Sequence, residues 1–336
     1  MSSTSLSSVE FYLYRLGPIF RLPTPLPIDF LFALIRVSGM HGPGWDPLEE
    51  SREFESDFSA LRTLELPAAR FSDAVRTRWR LRLLTYAHLV EMDSPYAVMA
   101  NLLRARAGLP YTIAPFERPA AVDKKKHKQN RTPPKVHRKQ TVIEELAAKV
   151  GLPSISGLFK TFYFNQLRNA IDHSDYILHG NEFRLGSGSL PISDESIVYS
   201  PAISIERLEE IVSSAEAFYE AFFRLELEAR VVLGKFAGRA VPFDRAYKGM
   251  LEVLADDTGK LSGVKMHWPN GSESEVRRTT DGVVASNVSF GPAGDIVPMV
   301  GMYASDPGEF SPLVGRGQSP KYTLCEQTGA EPAWPE

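Results

Sequence analysis

Residues 167–180 read Leu167-Arg168-Asn169-Ala170-Ile171-Asp172-His173-Ser174-Asp175-Tyr176-Ile177-Leu178-His179-Gly180. With Arg168 as origin and about 100° per residue, Asp172 falls near 40°, Tyr176 near 80°, Asn169 near 100° and His173 near 140°. Asp175 and His179 return to within about 20° of Arg168 if the helix continues. Leu167, Ala170, Ile171, Ile177 and Leu178 take the opposite side. The spacing predicts an amphipathic helix whose apolar side anchors a helical core and whose other side gathers the groups able to bind or catalyse. Gly180 predicts its end or a turn.

The flanking sequence extends that helical core in both directions. Upstream, Gly151 and Pro153 break the chain, and Ser154 or Ser156 is placed to cap the same helix, which carries Leu158, Phe159, Phe162, Tyr163, Leu167, Ala170 and Ile171. Val75, Trp79, Leu83, Tyr86 and Val90 recur at helical intervals, and Asp93-Ser94-Pro95 marks a junction to a second helix from Tyr96 to Ala107, stopped by Gly108 and Pro110. Another helix is expected over Val142–Val150. Downstream, residues 181–201 form a short insertion with strand-like pieces at Glu182–Leu185 and Ser196–Tyr199. Ile203 to Leu233 reads as one long helix, and its Phe218, Tyr219, Phe222 and Phe223 read as packing core. Residues 66–234 are thus one helical domain.

The ends differ. Residues 1–65 read as a helix-and-loop extension, with a helix from Ile28 to Val37 opened by Pro27 and a partly apolar acidic run from Glu49 to Asp57. Residues 235–336 read as a small β region with an irregular tail. Met250–Leu254, Val264–Trp268, Val283–Phe290 and Ile296–Met302 are short β-prone runs separated by Asp256-Asp257-Thr258-Gly259, Pro269-Asn270-Gly271 and Gly291-Pro292. The fold class is α+β: a mainly helical bundle with a helical N-terminal extension and a small C-terminal antiparallel β region.

Charge is distributed unevenly. The chain of 336 residues has 38 basic and 41 acidic side chains, a net charge of −3, so no global field draws it to nucleic acid. Residues 118–139, however, carry nine Lys and Arg against Asp123 alone. They read as a basic loop in which Lys124, Lys125, Lys126, Lys128 and Arg131 hold phosphate without reading bases, or as a solvated strap paired with the acidic remainder. One cysteine, Cys325, excludes an intrachain disulfide and a cysteine-built metal site. No apolar run spans a bilayer and no secretory leader is evident, so a cytoplasmic protein with no membrane partner is expected. No phosphate loop or nucleophile elbow is present, and no metal or cofactor is expected.

Two chemistries fit the motif segment. Asn169 and His173, four residues apart, can meet, Asn169 orienting the imidazole for proton transfer while Arg168 offers a fork of donors to phosphate. Alternatively Arg168 pairs with Asp172 or Asp175, and His173 simply hydrogen-bonds to Asn169.

Arg168-Asn169-Ala170-Ile171-Asp172-His173 resembles the Arg-polar-x-x-x-His signature of the HEPN superfamily of small helical domains. Leu83 to Val90 leading into Glu91, Asn101-Leu102-Leu103-Arg104 with Gly108 and Tyr111, the run into Ser174-Asp175-Tyr176, and the aromatic Phe218 to Phe223 helix are similar to uncharacterised bacterial HEPN-like proteins. The resemblance covers about residues 71–233. It implies a metal-independent endoribonuclease with Arg168, Asn169 and His173 as catalytic residues and Asp172, Asp175 and Tyr176 beside the substrate. His173 would deprotonate a ribose 2′-hydroxyl, Arg168 would stabilise the phosphorane, and a 2′,3′-cyclic phosphate would remain; single-stranded RNA is the implied substrate. It also implies a homodimer through the motif helix and a setting in toxin function, phage defence or RNA turnover. The alternative expectation is a non-catalytic dimeric scaffold whose β region binds another protein. The insertion after the motif helix and the C-terminal extension depart from the simplest family pattern.

Overall fold

The computed structural model describes residues 8–24, 26–36, 47–61, 66–67, 73–116, 134–186, 192–194, 197–238, 240–244, 249–267, 272–279, 282–290 and 296–298. Among them, eight α-helices form a bundle followed by a small antiparallel β region. The helices are α1 (Ser8–Phe20), α2 (Ile28–Ile35), α3 (Pro47–Leu61), α4 (Ala74–Glu91), α5 (Asp93–Arg106), α6 (Val136–Lys149), α7 (Asn165–Asp172) and α8 (Ile205–Gly234).

The long helix α8 is the axis of the bundle. Phe218, Tyr219 and Phe222 are fully buried along it, and Phe218 meets Tyr12, Phe159 and Phe162 ring to ring at 5.7, 5.8 and 4.8 Å. These aromatic residues are core, as their spacing indicates. α4 and α5 join at Met92 without a loop. Leu83, Tyr86 and Val90 point inward from α4, but Val75 is 70% exposed, so the inward stripe starts a turn later than the sequence pattern suggests.

α1 is built into the bundle, not appended to it. Tyr12, Leu16, Ile19 and Phe20 are buried against α8, a spacing of four, three and one that covers a single helix face. Gly17 and Pro18 lie inside this helix and disguise it. Pro18 falls in the last turn, two residues before the helix ends, so its missing N–H removes a single helical hydrogen bond.

The β region begins with β1 (Tyr176–His179), β2 (Glu182–Leu185), β3 (Ile192–Asp194), β4 (Ile197–Ser200) and β5 (Ala202–Ser204), of which β1, β2 and β5 make a three-stranded sheet leading into α8, while β3 and β4 pair as a ribbon. After α8 come β6 (Ala240–Asp244), β7 (Gly249–Ala255), β8 (Leu261–His267), β9 (Glu273–Thr279), β10 (Gly282–Ser286), β11 (Val288–Phe290) and β12 (Ile296–Pro298). β6 to β10 form an antiparallel meander in the order β10-β9-β8-β7-β6, and β11 pairs with β12. Asp256 closes the β7–β8 turn: its carboxylate accepts from Thr258 N at 2.9 Å and Lys260 N at 3.0 Å, and Gly259 takes φ +79°. β6 and β9 escape the sequence pattern. β9 has the alternating burial of a one-sided strand, yet its residues, Glu273 to Thr279, are mostly polar. Gly291-Pro292, Pro269-Asn270-Gly271 and Cys325 lie outside the described residues.

Candidate functional site

α7 is shorter than the sequence pattern suggests. The run from Ser154 is broken into two 3-10 turns, Pro153–Ile155 and Phe159–Thr161, before α7 starts at Asn165. Neither Ser154 nor Ser156 caps α7; the Ser154 hydroxyl donates instead to Arg15 O at 3.1 Å. The helix then stops at Asp172. Ser174 N–H donates to Ile171 O at 3.0 Å and Asp175 N–H to Ala170 O at 2.8 Å, with Ser174 at φ +53°. This is a Schellman closure in which serine holds the left-handed position that glycine usually takes. Asp175, Tyr176 and His179 therefore leave the helical face: Tyr176 and His179 are the ends of β1, and Gly180 makes the turn into β2.

The consequence for the motif is that its polar residues face different ways. Arg168 and Asn169 line a groove of about 1310 Å³; His173, Asp172, Asp175 and Tyr176 do not. His173 is exposed at the helix end. Among the described hydrogen bonds, Asn169 and His173 are linked through backbone only, His173 N to Asn169 O at 3.0 Å. The expected side-chain pair is not formed. Arg168 is committed locally instead, with Nε 3.0 Å from Glu91, Nη1 3.2 Å from Asp172 and Nη2 3.3 Å from Asn165. Burial works against its charge, but the Tyr163 hydroxyl, Glu91 and Asp172 outweigh it and hold the guanidinium above its ordinary pKa.

The groove itself is polar and basic. Its walls include Lys135, Lys139, Lys160, Arg168 and Arg207 against Glu91 and Asp93, together with His137, Tyr163 and the amides Asn165, Gln166 and Asn169. Besides α7 and the α4–α5 junction, three separate pieces of chain carry these groups. α6 presents Lys135, His137 and Lys139 at its start, and the turns before α7 present Lys160. The first turn of α8 presents Arg207, which also reaches Glu210 at 2.8 Å.

Each piece is fixed from below. The Tyr86 hydroxyl, which burial keeps protonated, donates to Phe162 O at 2.8 Å and accepts from Phe164 N at 3.4 Å, setting where α7 begins. Glu144 accepts from Gly157 N at 3.0 Å, and the Tyr12 hydroxyl meets Thr161 Oγ1 at 2.7 Å. Arg15 donates to the carbonyls of Ser154 and Ser156. α1 thus braces the rim that carries Lys160.

The basic stretch 118–139 divides at residue 134. Lys124, Lys125, Lys126, Lys128 and Arg131 lie outside the described residues. Its last part is not loop but the opening of α6, in which Val136, Gln140, Ile143 and Ala147 bury one face. Lys139, 4% exposed, is paired with Asp93. Its burial is a structural role that a count of charges conceals, and the 136-140-143-147 spacing was the available signal for the helix.

Elsewhere, His267 on β8 sits between Glu252, 2.7 Å from Nε2, and Glu273, 3.1 Å from Nδ1, neighbours that only strand register brings together. No cluster of three or more His, Cys, Asp or Glu suited to hold a metal occurs among the described residues, nor does any helix there have the length and apolarity to cross a membrane. Comparison with protein-family models, with curated proteins and with solved structures finds no match to this chain.

Proposed function

We propose that the groove in front of α7 binds single-stranded RNA, with Lys135, Lys160 and Arg207 holding phosphates and the amides of Asn165, Gln166 and Asn169 facing bases. The observation that carries this reading is the groove's lining: five cations against two carboxylates in one concavity of about 1310 Å³. A concave surface with an excess of positive charge concentrates its field on a polyanion, and phosphate contacts supply most sequence-independent affinity. Amides beside them are the side chains that pair with exposed base edges. The lone cysteine of the chain fits a reducing, cytoplasmic setting.

The test is fluorescence anisotropy of a labelled single-stranded RNA across a salt series. Affinity that falls steeply with salt and drops in Lys160→Ala and Arg207→Ala supports the reading. Salt-independent or absent binding at low salt removes it and leaves the scaffold alternative.

A second reading, metal-independent cleavage, is favoured by one observation: Arg168 lines the groove while His173 is solvent-exposed at the end of the same helix. In this reading two copies meet across α7, so that His173 of one chain completes the groove of the other. Cyclic-phosphate ends that persist in chelator and vanish in both His173→Ala and Arg168→Ala support it. Binding without cleavage in the intact homodimer refutes it.

A further inference from the structure

The first strand after α7 leaves one of its edges open. Gly186 N–H donates to Asp175 O at 2.8 Å. The antiparallel ladder between β1 and β2 thus reaches back to Asp175, and it turns the backbone polar groups of Asp175, Ile177 and His179 toward β2. The N–H and C=O groups of Tyr176 and Leu178 therefore point the other way, out from the edge of the sheet ordered β1-β2-β5. Among the described residues no strand and no backbone group meets that edge.

Its side chains do not guard it. Tyr176 and Leu178 pack on the core, Tyr176 stacking on Phe183 at 5.1 Å, while Ile177 is 59% exposed. Sheet edges are ordinarily blunted by lysine, proline or a bulge; Tyr176-Ile177-Leu178-His179 has none of these. The strand is also complementary to itself. With two copies of β1 antiparallel, the register that engages both outward residues of each copy pairs Tyr176 with Leu178 and Leu178 with Tyr176. It sets Ile177 against Ile177 on a two-fold axis, with Cα atoms about 4.5 Å apart. It also puts Asp175 of one copy across from His179 of the other, on the same face as the isoleucines, acid facing base on either side of the axis.

We propose that β1 is a self-pairing edge, on which a second copy of this chain docks strand to strand and joins the two sheets into one. Pairing satisfies the outward backbone groups and takes Ile177 out of water. The strand is short, so the dimer is transient and depends on concentration. Residues 176–179 do not line the groove, and the pairing does not depend on the RNA reading.

The experiment uses the full chain without RNA. Sedimentation velocity across the micromolar range should show a reversible monomer–dimer equilibrium. Ile177→Lys, at an exposed position, sets two ammonium groups face to face and should weaken the dimer at least about tenfold. Oxidative cross-linking reads the register. In a Cys325→Ser background, Ile177→Cys should form a disulfide-linked dimer at least about tenfold faster than His179→Cys, because residue 177 alone of the two faces its own copy within disulfide reach. A chain that stays monomeric throughout overturns the proposal. So does a dimer that keeps its affinity in Ile177→Lys, as one formed across α7 would, and so do equal cross-linking rates for the two cysteines.

Discussion

Arg52→Met tests the charged clasp that ties α3, α8 and the β7–β8 turn together. Glu226 on α8 is 0% exposed and lies 2.5 Å from Arg52 on α3 and 3.8 Å from Arg230 one turn along α8. Arg230 is held separately, by Leu261 O at 3.0 Å and Asp256 at 3.7 Å. Removing Arg52 strands a carboxylate with only the longer of its two ion pairs. Breaking a buried pair in this way costs about 3–5 kcal/mol. Glu226→Gln costs less, about 1–2 kcal/mol, because Arg52 is partly exposed and regains water while Arg230 keeps its other partners.

The pH dependence follows from burial, which holds the Glu226 carboxyl above its ordinary value despite both arginines. A raised folded value means that the native state binds the proton more tightly than the unfolded chain. The associated stability is fully present below the unfolded value of about 4.3 and is lost as pH rises through the folded value. Arg52→Met raises that folded value further, so its penalty is largest near pH 8 and shrinks as pH falls and Glu226 takes up a proton. Urea unfolding at pH 8 and pH 5.5 measures this directly, with m unchanged and the midpoint lowered. A double variant, Arg52→Met with Glu226→Leu, should recover most of the loss. An Arg52→Met penalty under about 1 kcal/mol at pH 8, or one that grows toward acid, refutes the reasoning.

Three further outcomes are expected. Gly234→Ala places a Cβ 1.9 Å from Gly259 O; since that atom is backbone, the end of α8 and the β7–β8 turn must separate, at a cost of about 2–3 kcal/mol in chemical denaturation. Ser174→Gly relieves the left-handed residue at the α7 stop and should stabilise by about 0.5–1 kcal/mol, whereas a destabilisation would mean that the helix runs on. Arg168→Ala leaves Glu91 at the groove wall without its cation, so RNA affinity should fall by more than Lys160→Ala lowers it. The salt slope should change by about 0.7, and anisotropy in a salt series reads both.

How far the sequence could be read depended on where a residue's neighbours came from. α8 and α5 announce themselves because their apolar residues recur within one helix and their ends carry ordinary signals. α7 was overextended because its polar residues keep helical spacing beyond Asp172 and the stop is a serine, Ser174, with no glycine to mark it. α1 was hidden by Gly17 and Pro18, although Tyr12, Leu16 and Ile19 carry the period. Within the site, Arg168 and Asn169 could be named from the motif. Lys160, His137 and Arg207 could not, because only packing of the α6 start, the pre-α7 turns and the α8 start against one another places them in one concavity. Charge density misled at Lys139, a buried ion-pair partner within a stretch that looks wholly solvated.

α8 has 30 residues, a rod of about 45 Å. Arg207 at one end borders the groove, and Gly234 at the other is wedged against the Gly259 carbonyl. Bundle and meander therefore share one spine, and neither can shed it while the other stays native. The molecule should lose its far-ultraviolet dichroism and its aromatic fluorescence in a single coincident step, with no surviving half for a protease to trim.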